Sequence, residues 1–220
     1  MIKKSFLLSS MALLLFSACD IEPPAIVNID LPSGSKGGFS TSSLRLPARI
    51  LEKNTSVRLA KIQARRFEIE PAMILGVITQ ESGFNANAVS WAGAQGLMQL
   101  MPGTVEHIRK NSPVQISSAF NPVDNMAAGS WYLRSLYDQF RAYPESQRWQ
   151  FALASYNGGQ GRVTQAIQKA AFKHKKSRQQ VNWNDIKNYL PSETRNYVPA
   201  VMQHARYYRQ NLKSSRIHKI

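Results

Sequence analysis

Pro71-Ala72-Met73-Ile74-Leu75-Gly76-Val77-Ile78-Thr79-Gln80-Glu81-Ser82-Gly83 is the stretch on which the reading of the fold turns. A proline in the first helical turn sacrifices no bond, because the first N–H groups of a helix have no internal partner, and its fixed φ suits a helix start. Met73, Ile74, Leu75, Val77 and Ile78 then place apolar side chains on nearly every side instead of one face, so the spacing predicts a central helix enclosed by others. Gly83 is expected to end it near Glu81. Glu81 thereby lies at the negative end of a helix dipole among apolar neighbours, and both effects raise a carboxyl pKa. A carboxyl kept protonated near neutral pH can donate to a leaving oxygen as a general acid. On this stretch alone, a solvated helix-end residue is the plainer reading.

Outward from this helix the pattern stays helical. Val57, Leu59, Ala60, Ile62 and Ala64 repeat at helical spacings from about Ser56, and a long helix is expected after Asn121-Pro122, carrying Trp131, Leu133, Leu136, Tyr137 and Phe140. A third runs through Trp149, Phe151 and Leu153 to about Tyr156, and a fourth starts after Gly161. Ser192 can cap a last helix, in which Pro199 predicts a kink. The basic, polar segment Ala170 to Gln180 reads as a loop, and Lys213 to Ile220 as a frayed basic tail. No alternating strand and no internal repeat is found, so the expectation is an all-α domain over residues 56–212.

The N-terminus reads as an export signal. Lys3 and Lys4 precede an apolar stretch from Phe6 to Phe16, too short to span a bilayer as a mature helix, and Phe16-Ser17-Ala18-Cys19 follows. This resembles the bacterial lipoprotein signal, although Phe16 stands where leucine is usual. The resemblance implies removal of residues 1–18 and acylation of Cys19, giving a membrane anchor; a passive cysteine within a discarded signal is the alternative. Cys19 is the sole cysteine, which excludes an intramolecular disulfide. Residues 19–55, rich in Pro, Gly and Ser, read as a tether. The chain of 220 residues is 43% hydrophobic, enough for one domain with a core. Its formal charge of +15 favours anionic surfaces. Taking Lys3 and Lys4 from the 28 basic residues still leaves 26 against 13 acidic ones. For an exported chain those surfaces are cell wall and membrane before nucleic acid.

Several ordered motifs surround Glu81. Glu81-Ser82-Gly83-Phe84-Asn85 is followed by Ala88-Val89-Ser90 and by Gly96-Leu97-Met98-Gln99-Leu100-Met101-Pro102. Asn121-Pro122, then Asn125 and Gly129 ahead of Trp131-Tyr132-Leu133, then Ser155-Tyr156-Asn157-Gly158-Gly159 and Glu193-Thr194-Arg195-Asn196-Tyr197-Val198, continue the series. In this order, over roughly residues 66–212, the chain resembles the soluble lytic transglycosylase (SLT) family of the lysozyme superfamily. The resemblance implies a lysozyme-like helical domain of the goose-lysozyme type acting on peptidoglycan. It makes Glu81 the catalytic acid/base. Ser90 and Gln99 match positions that bind the sugar's N-acetyl group or help hold the glutamate, and Met98 matches a residue lining the glycan groove. Tyr156 and Asn157 match the family's Ala-Tyr-Asn motif, with Ser155 for the usual alanine, and Tyr197 matches a tyrosine near the catalytic carboxyl.

Plainer readings stand beside these. Met98 and Leu100 can be core, Tyr156 and Tyr197 packing residues, and Glu193 an early-turn carboxylate favoured by the dipole as readily as a substrate contact. Trp91 is the tryptophan expected to stack on sugar, with Trp131 and Trp149 in the core. An ordinary glycosidase needs two carboxylates. Glu68, Glu70, Glu106 and Asp124 are available, and none lies in a partner motif. The transglycosylase route implied by the resemblance needs only Glu81, because the substrate's own C6 hydroxyl replaces water and yields a 1,6-anhydro sugar. A hydrolase of the same fold and a non-catalytic peptidoglycan-binding protein remain alternatives. His107, His174, His204 and His218 lack metal-ligand spacing, and Gly158, Gly159 and Gly161 lack the strand and Lys-Ser/Thr pair of a phosphate loop, so neither metal nor cofactor is expected.

Overall fold

The computed structural model describes residues 53–217, with side chains from 54 to 212. The signal, Cys19 and nearly all of the tether lie outside the described residues. The described chain is helical: α1 (Lys53–Phe67), α2 (Pro71–Ser82), α3 (Pro102–Asn111), α4 (Pro122–Gln139), α5 (Glu145–Gly158), α6 (Gln160–His174), the short α7 (Trp183–Ile186) and α8 (Ser192–Ile217). Single 3₁₀ turns at 178–180 and 187–189 flank α7. Among the described residues β-structure is limited to isolated bridges, Val89 with Gln95 and Gln95 with Leu100.

The central helix is α2. Ala72 through Ile78 are all buried, Pro71 occupies its first turn, and Gly83 closes it in the left-handed conformation (φ 55°), its N–H donating to Thr79 O. Its main partner is α8, with α1 on another side. The α2–α8 approach is close because Gly76 has no side chain: a Cβ there would lie 2.9 Å from Val201 O and 3.0 Å from Ala205 N. Asn121 caps α4 by accepting from the N–H groups of Val123 and Asp124, a cap worth about 1 kcal/mol. Helix α5 then packs between α4, α6 and α8, which brings its C-terminal end beside the start of α8.

Three helix limits and one whole helix differ from the sequence reading. Helix α1 begins at Lys53, before Ser56. Helix α3 was not expected: Val105 and Ile108 are its buried residues, too sparse a pattern to stand out in a polar decapeptide. Helix α6 runs to His174, so the loop expected from Ala170 begins only at Lys175. Ala170 is buried while Lys169, Lys173 and His174 point outward, so basic composition masked a continuing inner face. Helix α8 continues to Ile217 through the expected tail, and it passes Pro199 without interruption.

Candidate active site

The C-terminal end of α2 carries Glu81 to a place where α8 and α5 meet a long loop, residues 83–101. That loop is pinned from below by Asn125 of α4, itself buried. Its Oδ1 accepts from Met98 N at 2.8 Å, and its Nδ2 donates to Ala119 O at 2.7 Å and Gln95 O at 2.9 Å. Ser82 ties the same loop to the helix end, its hydroxyl donating to Leu97 O at 2.8 Å. Helix end and loop are therefore one unit, and the position of Glu81 is set by both.

Tyr197 of α8, buried, donates its phenolic hydrogen to Glu81 Oε1 at 2.6 Å. Tyr156 of α5 donates to Met98 O at 2.8 Å. Both phenols are pushed well above 10, first by burial and next by the nearby Glu81 carboxyl, so both are neutral donors. Glu81 is itself pushed up to about 7. Burial is the main cause; the Tyr197 bond opposes it, and the charge of Glu193 adds to it. Residue accessibility leaves Glu81 half-buried, which fits a carboxyl withdrawn from bulk water yet open to a substrate. Near pH 7 a carboxyl so placed divides between its neutral and ionised forms, which chemically allows it both to donate and to accept a proton.

Glu193 is held in turn. Asn157 Nδ2 donates to Glu193 Oε1 at 3.2 Å, and Asn157 Oδ1 accepts from the buried Thr194 hydroxyl at 2.8 Å. Glu193 is thus the second carboxylate of the site. The others are engaged elsewhere: Glu68 with Arg134, Glu70 in two hydrogen bonds to Arg209, Glu106 with Lys110, and Asp124 with Ser117.

The remaining expected residues build the loop. Ser90 exchanges bonds with Ala94, its N–H donating to Ala94 O and its hydroxyl accepting from Ala94 N. Gln99, at φ 47°, donates through Nε2 to Gly96 O at 2.9 Å and Ala88 O at 3.1 Å. Neither hydrogen-bonds to Glu81. The Met98 side chain, expected to line a groove, is completely buried; it fills the notch at Gly129, where a Cβ would lie 2.5 Å from its sulfur. What Met98 offers the site is its carbonyl, the acceptor for Tyr156. Trp91 is 57% exposed on the loop, near exposed Val89, and is free to stack. Trp149 packs against Tyr137 with ring centroids 4.2 Å apart, and Trp131 lies beside His107. Three residues that hold the site carried no assigned role in the sequence: Ser82, Asn125 and Thr194. They stand inside the quoted motifs, but their partners are carbonyls and amides up to 37 positions away, which spacing does not reveal. No group of side chains suited to a metal ion occurs among the described residues.

The family model described as the transglycosylase SLT domain matches residues 58–179. This chain belongs to that family. Membrane-bound lytic murein transglycosylase C of Actinobacillus pleuropneumoniae serotype 5b (strain L20) is 38% identical over 113 residues, 48% of this chain and 31% of the relative. Soluble lytic murein transglycosylase of Escherichia coli (strain K12) is 33% identical over 150 residues, 64% of this chain and 21% of the relative. This SLT-family chain thus spans less than a third of either relative. Its fold matches the crystal structure of the 70 kDa soluble lytic transglycosylase of Escherichia coli with TM-score 0.60 at 32% identity, over 70% of this chain and 24% of that one. The same enzyme type in complex with bulgecin A matches with TM-score 0.61 at 31% identity, over 73% and 24%. The family match ends before α8, so Glu193 and Tyr197 enter the site through the fold and not through that match.

Proposed function

We propose that this SLT-family chain is a lytic transglycosylase that cleaves the bond between N-acetylmuramic acid and N-acetylglucosamine in peptidoglycan, with Glu81 as acid and then base. The observation that carries this reading is Glu81 itself, a carboxyl raised to about 7 and held by Tyr197 at 2.6 Å. Tyr197 donates to Oε1, which leaves Oε2 to carry the transferable proton. Glu81 gives that proton to the glycosidic oxygen as the bond to C1 breaks, and the substrate's acetamido oxygen stabilises C1. The C6 hydroxyl then bonds to C1 while the Glu81 carboxylate accepts its proton. Glu81 ends protonated, no water is consumed, and the product is a 1,6-anhydro sugar. Ser90, Gln99, Asn157 and Glu193 shape the walls around that substrate, and Trp91 offers an exposed ring to a sugar.

Glu193 supports a second reading, a hydrolase of the same fold, because it is a carboxylate near enough to act on Glu81 electrostatically. The two readings separate by mass spectrometry of the fragments released from purified peptidoglycan, with Glu81→Gln as control. Fragments lighter by one water than reducing muropeptides, and absent with Glu81→Gln, are expected; reducing fragments would establish the hydrolase. No release by the folded wild-type protein would leave a peptidoglycan-binding protein.

We further propose that the enzyme faces the periplasm from a lipid on Cys19. The motif Phe16-Ser17-Ala18-Cys19 supports this, as do relatives named membrane-bound lytic murein transglycosylase C. No helix among the described residues is long and apolar enough to cross a membrane. A fatty-acid analogue should label wild type and not Cys19→Ala, and equal labelling would refute the anchor.

A further inference from the structure

The outer face of α6 combines a run of cations with an exposed aromatic ring. Projected at about 100° per residue, Arg162, Gln165, Lys169, Phe172 and Lys173 fall on one stripe, and all are exposed. Phe172 is 90% exposed. Across a groove lined by Arg162, Gln165 and Lys169 stands Tyr189, itself 38% exposed, with the Lys173 ammonium over its ring at 6.0 Å. Between residues 160 and 190 there are seven lysines and arginines and a single acid, Asp185, which is bonded to Lys176. This charge lies outside the Glu81 site.

We infer that the far end of the α6 face, with Phe172 and Tyr189 among Lys169 and Lys173, docks on an anionic phospholipid bilayer. Charge complementarity selects an anionic partner, and the exposed aromatic rings select a bilayer over a soluble polyanion, which offers no apolar layer to receive them. Cations on such a face attract anionic headgroups, while an aromatic ring inserts at the headgroup boundary. Helix α6 starts immediately after Gly159, beside Tyr156 and Asn157, and its 15 residues carry the basic end about 20 Å away at about 1.5 Å per residue. Docking by that end holds the enzyme at the surface and leaves the Glu81 cleft clear of lipid. The face acts independently of any lipid on Cys19 and of the reaction at Glu81.

The test uses the full chain with Cys19→Ala and one introduced cysteine, Gln168→Cys on α6 or Ile62→Cys on α1, carrying an environment-sensitive dye. Vesicles are phosphatidylglycerol and phosphatidylcholine in a 30:70 ratio, or phosphatidylcholine alone. Because residues 1–52 are present throughout, the local dye reads this face and not attachment by another part of the chain. The dye at 168 should shift to the blue on the anionic vesicles only, and the dye at 62 should not shift. Each cation removed from an anionic surface weakens attraction about fivefold, so Lys169→Gln with Lys173→Gln should lower the docked population about 25-fold. Phe172→Ser should lower it roughly tenfold. Both variants should keep the wild-type melting temperature and wild-type turnover on soluble glycan fragments. An unresponsive dye at 168, an equal response on phosphatidylcholine, or indifference to both sets of substitutions would overturn the inference. So would an equal shift with soluble polyphosphate that ignores Phe172→Ser, since the face would then read charge and not a bilayer.

Discussion

Replacing Glu81 with Gln should let the protein gain stability on wild type as pH rises. In the folded chain the carboxyl is raised from 4.5 to about 7, chiefly by burial. Between those values the folded protein keeps a proton that the unfolded chain has released, so the folded state binds more protons and stability falls as pH rises. The favourable contribution of the neutral carboxyl is complete below about pH 4.5 and lost as pH climbs through about 7. At roughly 1.4 kcal/mol for each pH unit of displacement, the full swing is about 3 kcal/mol. Glu81 retains some accessibility, and water reaching it will reduce that figure. Glutamine keeps the shape and has no proton to lose, so any change in its bond to Tyr197 is a pH-independent offset. Urea denaturation of wild type and Glu81→Gln across about pH 4 to about pH 8 should therefore give curves that diverge, the variant gaining about 2 to 3 kcal/mol on wild type toward the alkaline side. Parallel curves, or a wild type that gains on the variant as pH rises, would refute a buried neutral acid at this position.

Two further outcomes follow from the same geometry. Tyr197→Phe removes the bond that holds the Glu81 pKa down, so the alkaline limb of the pH–rate profile should move upward while the maximal rate falls; a limb that moves down would contradict the assignment of that bond. Asn125→Ala leaves the Met98 amide and two loop carbonyls without their partner, and at about 1 kcal/mol or more for each bond it should cost about 3 kcal/mol in a thermal melt, with turnover falling in parallel.

The central helix was legible because its signal is local: Pro71, an unbroken apolar run and Gly83 each act within a turn or two of chain. The same holds for α4, whose Asn121-Pro122 start is a cap bonded two and three residues ahead. Helix α3 was hidden because its contribution to the core is Val105 and Ile108, and a ten-residue helix needs no more once Pro102 starts it and α4 covers it. The far end of α6 was hidden for the opposite reason, since its outer face is so basic that composition outweighed the buried Ala170. At the site, position made Glu81 a candidate with a raised pKa, while its role and those of its neighbours came from resemblance. The actual bonds redistribute those roles: Met98 is buried and serves through its carbonyl, while Ser90 and Gln99 brace the loop.

The buried position of Met98 has consequences for how the site is held. Tyr156 bonds to the Met98 carbonyl, Asn125 bonds to the Met98 amide, and the Met98 side chain is locked against Gly129. One loop residue thus joins α4 and α5 to the segment that follows Glu81, while Tyr197 and the Glu193–Asn157–Thr194 chain join α8 and α5 on the other side. A carboxyl raised by burial is costly to keep in place, because any loosening lets water in and returns it toward its ordinary value. The rigid bracing around Glu81 is therefore part of its acidity: a lesion in the Asn125 or Thr194 bonds should lower the Glu81 pKa even though neither side chain touches it.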